Sequence, residues 1–230
     1  MKSYIPNFIT LLNLFSGCVA VIFALEGNMK LTAFFVCLGI FFDFFDGLLA
    51  RKLKVQSELG LQLDSLADMV TSGLVPGLVL FHLFGLATQF SWNPTNLLPY
   101  FGLLVTLASA YRLAKFNIST NQTDAFIGLP TPANTLLIIA LPLILEYQNS
   151  TALNEIILNP WFLMGLTIVS CYLLNAPIKL IALKFKTWDF KTNAIRYLLI
   201  ILSVALLATF QFVGIPLIIL IYILLSFGSK

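Results

Sequence analysis

The sequence predicts an all-α membrane protein, a bundle of about eight transmembrane helices in a single integral membrane domain. Three observations predict it. Of the 230 residues, 59% are hydrophobic and only 10% are charged, against about 25% charged in soluble domains. Eight apolar runs of helix length follow one another along the chain, as a multi-pass protein requires. The basic residues then fall almost entirely on one side of the resulting topology. A net charge of +3 gives no argument for a nucleic-acid partner.

The spans are expected at roughly 8–25, 31–53, 61–86, 97–116, 131–147, 160–182, 194–210 and 212–228. The first resembles a signal peptide, and Phe15-Ser16-Gly17-Cys18 resembles a lipoprotein cleavage box. A single lysine, with Pro6 and Asn7, precedes it, Asn13 interrupts it, and apolar sequence continues past Cys18, so it reads as a retained span. With the N-terminus in the cytoplasm, twelve of the thirteen Lys and Arg residues lie inside and only Lys30 outside. Both termini are then cytoplasmic. The stretches 87–96 and 148–159 read as outer surface loops, with Trp92 and Trp161 as interfacial anchors. The basic loop 183–193 reads as a contact with anionic lipid. Cys18, Cys37 and Cys171 sit in separate apolar runs and are expected as free thiols. The single histidine, His82, cannot build a His-based metal site and is expected near a helix end.

One stretch departs from this apolar pattern. From Asp43 to Asp68 the chain reads DFFDGLLARKLKVQSELGLQLDSLAD. An ionised carboxylate at the centre of a spanning helix costs about 2.5–3.5 kcal/mol on insertion scales, and four are found here. At about 100° per residue, Asp43, Asp46, Gly47 and Ala50 share one helix face. On the next helix Gly60, Asp64 and Asp68 share another. A reversal over Lys52–Leu59 brings Asp43 level with Asp68, Gly47 with Asp64 and Arg51 with Gly60, the glycines letting the backbones and a ligand approach closely. Facing carboxylates in low dielectric must be protonated or neutralised. Their hard oxygens suit Mg²⁺, Mn²⁺ or Ca²⁺, and four can hold two such ions. A transporter-like acidic pocket or a proton-sharing set remains open on this pattern alone. Asn7, Thr10 and Asn13 make a polar edge on the first span that is expected to face the site.

The string fits D-x2-D-G-x2-A-R-x8-G-x3-D-x3-D at all eight fixed positions, Asp43, Asp46, Gly47, Ala50, Arg51, Gly60, Asp64 and Asp68. In this it resembles the CDP-alcohol phosphotransferase family. The resemblance implies a six-helix core over about 1–182, with the basic loop and the last two spans, 183–230, as an addition. It implies two divalent ions on Asp43, Asp46, Asp64 and Asp68, with Asp68 also the general base. It places CDP-diacylglycerol against Gly47, Ala50, Arg51 and Gly60, and Asn7, Thr10 and Asn13 are assigned to the same site. Within the family, the opening Ile5-Pro6-Asn7, the stretch Arg112–Asn117 and the turn Gly128–Asn134 resemble the branch that transfers a phosphatidyl group to L-serine. Arg112, Lys115, Asn117, Pro130 and Thr131 are the candidates for the serine site. A homodimer in the inner membrane, with the active site on the cytoplasmic side, is the family expectation. Glycerol 3-phosphate or an inositol phosphate as acceptor stays open, since the same cations serve either. An ion-coupled transporter would call for a second half resembling 43–68, and no such half is found.

Overall fold

A computed structural model describes residues 4–88, 97–118, 126–148, 150–181 and 189–228. Among them are ten α-helices: α1 (Tyr4–Leu25), α2 (Met29–Leu53), α3 (Glu58–Asp68), α4 (Val75–Ala87), α5 (Leu104–Ile118), α6 (Thr131–Tyr147), α7 (Thr151–Ile157), α8 (Pro160–Asn175), α9 (Phe190–Phe210) and α10 (Gly214–Gly228). A π-helical turn, Met69–Leu74, makes α3 and α4 one continuous stretch, and a 3₁₀ turn, Leu98–Leu103, leads into α5. Strands β1 (Phe126–Ile127) and β2 (Lys179–Leu180) form a two-residue antiparallel ladder. Each expected span corresponds to one of these helical stretches, except that the one expected over 160–182 is helical only to Asn175 and is followed by β2. Trp92, Lys2, Lys184, Lys186 and Lys230 lie outside the described residues.

By length and composition, Tyr4–Leu25, Met29–Leu53, Glu58–Ala87 and Asn193–Ser226 can cross a membrane, and α7 with α8, bent by 60°, makes a fifth candidate. The stretch Asn193–Ser226 is two helices. Gln211 has a left-handed φ of 48°, and a Cβ on Gly214 would lie 2.7 Å from the Leu206 carbonyl oxygen. The chain therefore turns back, and α10 packs on α9.

Local chemistry explains the joints. Asn28 caps α2, its side chain accepting from the Leu31 amide, and Ser57 caps α3 by accepting from the Gly60 amide; both are preferred cap residues. Between them α2 stops at Lys54, whose φ of 55° is left-handed. The π turn follows from Pro76. A proline has no N–H, so the Ser72 carbonyl four residues earlier has no helical donor. The Thr135 hydroxyl supplies one at 2.8 Å, and the Thr106 hydroxyl adds a bond to the Gly73 carbonyl at 3.0 Å.

Helix α4 is apolar on every side and central, as such a helix should be. Val79, Leu80, Leu83 and Phe84 are wholly buried in a core shared with α1, α2, α5, α6 and α8. A second apolar cluster joins α9 and α10 to Leu129 and Leu180. Conversely, Leu198, Ile201, Val204 and Leu224 are exposed, the outward faces of helices whose surroundings are lipid.

Two expectations are corrected. The stretch 148–159 is not a plain loop, because it contains α7, whose seven residues are too few to give a periodic signal. The second and third spans do not pack as a close hairpin. Both α2 and α3 lie against α1, and their backbones stay apart while their carboxylates meet across the space between. A Cβ on Gly47 would meet only the Arg51 guanidinium, and one on Gly60 would meet Ser57 and Asn7. These glycines open a space between the helices instead of bringing backbones together, and the carboxylates lining it oppose closer approach. His82 lies within α4, partly buried beside Gly27.

The close approach of the 3₁₀ entry to α4 gives a stability test. A Cβ on Gly102 would lie 2.7 Å from the Leu80 Cβ and 2.9 Å from the Phe81 backbone nitrogen, whereas nothing lies within 4 Å of one on Gly165. Gly102→Ala is expected to destabilise by about 1–3 kcal/mol, the usual cost of overpacking. Gly165→Ala should be neutral or slightly stabilising. Thermal unfolding of the two purified variants in one detergent measures the difference.

Candidate active site

The carboxylates gather where α1, α2 and α3 meet. Oxygen atoms of Asp43, Asp46 and Asp64 lie within 4.8 Å of one another. Asp46 is buried at 5% exposure and accepts a hydrogen bond of 2.5 Å from the Thr10 hydroxyl. Asp68, one turn beyond Asp64, stands outside this trio and accepts from the Asn13 amide at 3.4 Å. Asn13 is oriented in turn. The Thr71 hydroxyl donates to its Oδ1 at 2.8 Å, which leaves the NH₂ group for Asp68. Thr10 and Asn13, both on α1, thus each hold a carboxylate from a different helix.

A cavity of about 550 Å³ opens from this cluster, lined by Asn7, Thr10, Asp46, Gly47, Ala50, Arg51, Gly60 and Asp64, with Phe116 of α5 on its far side. Six of the seven residues assigned to the nucleotide lipid therefore border one space. Asn13 does not, being fully buried between Thr71 and Asp68. The donor set fits the implied ions. Three carboxylates from two helices, with a fourth next to them, are oxygen ligands of the kind that hard divalent cations take.

The residues assigned to the acceptor separate into groups. Arg112 lies within electrostatic reach of Asp68, and its buried Nε has no hydrogen-bond partner among the described residues. Lys115 is exposed. Asn117, further along α5, is joined to α3, accepting from the Ser65 hydroxyl at 2.9 Å and donating to Gln62 at 3.2 Å. Pro130 precedes the first turn of α6, where Thr131 is buried and its carbonyl accepts from the Thr135 hydroxyl.

The structure adds polar groups not assigned from the sequence. Around the π turn, the Ser72 and Ser109 hydroxyls, both polar atoms of the Asn134 amide and the Asn175 Oδ1 are buried without hydrogen-bond partners among the described residues. Ser109 packs on Gly73 and lies one turn from Arg112, while the Asn175 Nδ2 donates to the Ala108 carbonyl at 3.1 Å. Buried polar groups are nearly always paired, and so many unpaired around one turn mark a place for a polar ligand or water. The available signal was a serine or asparagine inside an apolar run, as in Val70-Thr71-Ser72-Gly73, at spacings no pattern singled out.

Comparison with known proteins identifies the family. The chain is 38% identical over 134 residues to the CDP-diacylglycerol--serine O-phosphatidyltransferase of Bacillus subtilis, covering 56% of this chain and 70% of that one. It is 32% identical over 166 residues to the enzyme of the same name from Methanocaldococcus jannaschii, covering 72% and 71%. For that of Saccharomyces cerevisiae the identity is 34%, over 60% of this chain and 53% of the yeast protein. The sequence profile described as CDP-alcohol phosphatidyltransferase matches residues 3–173, which include α1 to α7, all four aspartates and most of α8, and the chain belongs to that family.

Proposed function

We propose that this protein transfers the phosphatidyl group of CDP-diacylglycerol to the hydroxyl of L-serine, giving phosphatidylserine and CMP. The observation that carries the reading is the placing of Asp68. It stands one turn beyond Asp64, which lines the 550 Å³ cavity, and within electrostatic reach of Arg112, whose Nε has no partner among the described residues. The names of the Bacillus, Methanocaldococcus and Saccharomyces relatives support serine as the acceptor.

Asp43, Asp46, Asp64 and Asp68 would hold two divalent ions, whose chemistry is to neutralise the pyrophosphate and stabilise the departing CMP. The protein's own groups do the rest. Gly47 and Gly60 leave room along the cavity wall, and Arg51 supplies a fork of donors to phosphate. Thr10 fixes the Asp46 carboxylate. Asn13, held by Thr71, fixes that of Asp68. Asp68 accepts the proton of the serine hydroxyl as its oxygen attacks the phosphatidyl phosphorus. The bond from that phosphorus to the CMP oxygen breaks, and CMP leaves through the cavity. Arg112 binds the serine carboxylate, and the hydroxyls and amides around the π turn receive the ammonium and exclude other orientations. The site opens to the cytoplasm, where serine and nucleotide are found, and the acyl chains lie in the bilayer beside α2.

Purified protein given CDP-diacylglycerol with serine, glycerol 3-phosphate or inositol phosphate in turn should release CMP with serine alone. Chelation should abolish the release, and Mg²⁺ or Mn²⁺ should restore it. Release with a phosphorylated acceptor in place of serine would overturn the assignment, and full activity in excess chelator would end the metal reading.

Asp68→Asn keeps an oxygen ligand but loses the base. Turnover is expected to fall on the order of 10²–10⁴-fold, with Mn²⁺ and CDP-diacylglycerol binding weakened only in part when followed by titration calorimetry. Asp43→Asn should lower binding and turnover together.

Replacing Arg112 by Ala removes one charge-assisted contact, worth about 1.5–3 kcal/mol. The serine KM should rise roughly 10- to 150-fold while the CDP-diacylglycerol KM stays nearly constant. Unchanged serine kinetics would place the carboxylate elsewhere, at the start of α6.

A further inference from the structure

Helix α10 lies outside the part of the chain that the family profile matches, 3–173, yet it reaches the acceptor side of the site. Tyr222 is 7% exposed, and its hydroxyl donates to the Ile181 carbonyl at 3.0 Å. One turn on, the Ser226 hydroxyl accepts from the Ile181 amide at 3.2 Å and donates to the Tyr222 carbonyl at 2.7 Å. Both backbone groups of Ile181 are therefore held by one helix.

Ile181 ends the segment that builds the acceptor turn. It follows β2 directly, and β2 pairs Leu180 with Phe126 and Lys179 with Ile127 of β1. After β1 comes Gly128, with φ +74°, whose amide donates to the Ile178 carbonyl at 2.9 Å. The amide of Leu129 donates to the Leu173 carbonyl at 2.8 Å. Leu129 is 1% exposed and shares an apolar cluster with Tyr222. The chain then enters α6, where the Asn134 amide is buried with neither polar atom partnered. On its other side Tyr222 lies within electrostatic reach of Arg112. A single side chain thus joins the last helix to the segment that builds the acceptor turn, with Arg112 nearby.

We infer that Tyr222, supported by Ser226, is a positioning residue for the acceptor, holding the 128–134 turn in place through Ile181 and the β1–β2 ladder, so that the C-terminal helix pair is part of acceptor binding. The inference rests on the reading of Arg112 and the π-turn polar groups as the acceptor pocket. It assigns no contact with the nucleotide, since neither α9 nor α10 borders the 550 Å³ cavity.

The full-length protein in mixed micelles tests it, with CMP release read against serine and, separately, against CDP-diacylglycerol. Tyr222→Phe and Ser226→Ala each remove one hydrogen bond to Ile181. Each should raise the serine KM by about 2- to 10-fold, the effect of a single hydrogen bond, with kcat and the CDP-diacylglycerol KM within twofold of the parent. Leu224→Ala, at a residue of the same helix that is 67% exposed, should change none of these. A serine KM unmoved in both variants, or a parallel rise in the CDP-diacylglycerol KM, overturns the inference. Should Tyr222→Phe prove too unstable to purify, Ser226→Ala decides alone. If the parent protein accepts another alcohol in place of serine, the proposed function fails. The same KM comparison, made with that alcohol, still decides the role of Tyr222.

Discussion

Close carboxylates in an apolar surrounding are the constraint on which the rest of this structure depends. Their mutual repulsion is weakly screened where water is scarce, so each needs a donor or a counter-ion of its own. Thr10 serves Asp46 and Asn13 serves Asp68. The remaining charge at Asp43, Asp46 and Asp64 is what suits the trio to divalent cations. The same repulsion explains why α2 and α3 stand apart with a cavity between them. Helix α1 fills the gap that a simple hairpin would have closed.

A second constraint, the absence of an N–H on Pro76, shapes the acceptor side. It frees the Ser72 carbonyl, widens one turn of the α3–α4 stretch and calls on hydroxyls from α5 and α6 to complete the bonding. Single π turns are often found at functional sites. Here the turn directly follows Asp68 and carries Ser72, so a backbone irregularity and the proposed base share one stretch of helix. The polar groups left unpaired around it are costly without a ligand, which is the physical ground for reading them as a recognition surface.

Much of this was legible in the sequence, and what was not has identifiable causes. The eight apolar runs located the helical stretches because hydrophobic length is a coarse and strong signal. The facing of Asp43, Asp46 and Asp64 followed from helical spacing. The separation of α2 from α3 was not legible, because glycine at a helix face permits close approach and open space equally. Helix α7 was too short for periodicity to register. The polar atoms of Ser109, Asn134 and Asn175 come from three helices far apart in sequence, and only folding brings them around one turn. Asn13 was placed at the site by its polarity, but its engagement by Thr71 depends on a contact between the first and third spans.

Thr10 and Asn13 also have a mechanical meaning. Each bonds a carboxylate on a different helix, so sliding α1 by one turn, about 5.4 Å, would put Pro6 and Ile9, or Leu14 and Gly17, in their places. None of those side chains offers a donor. The axial position of α1 is thus pinned from within, while Phe8, Leu11, Phe15 and Ile22 on its outer surface are exposed to the surrounding hydrocarbon. Membranes differ in thickness by several ångströms, and helices commonly answer by tilting or shifting. Here such a shift cannot be made by α1 alone, because the carboxylates of α2 and α3 hold it, and the three helices must move through the bilayer together.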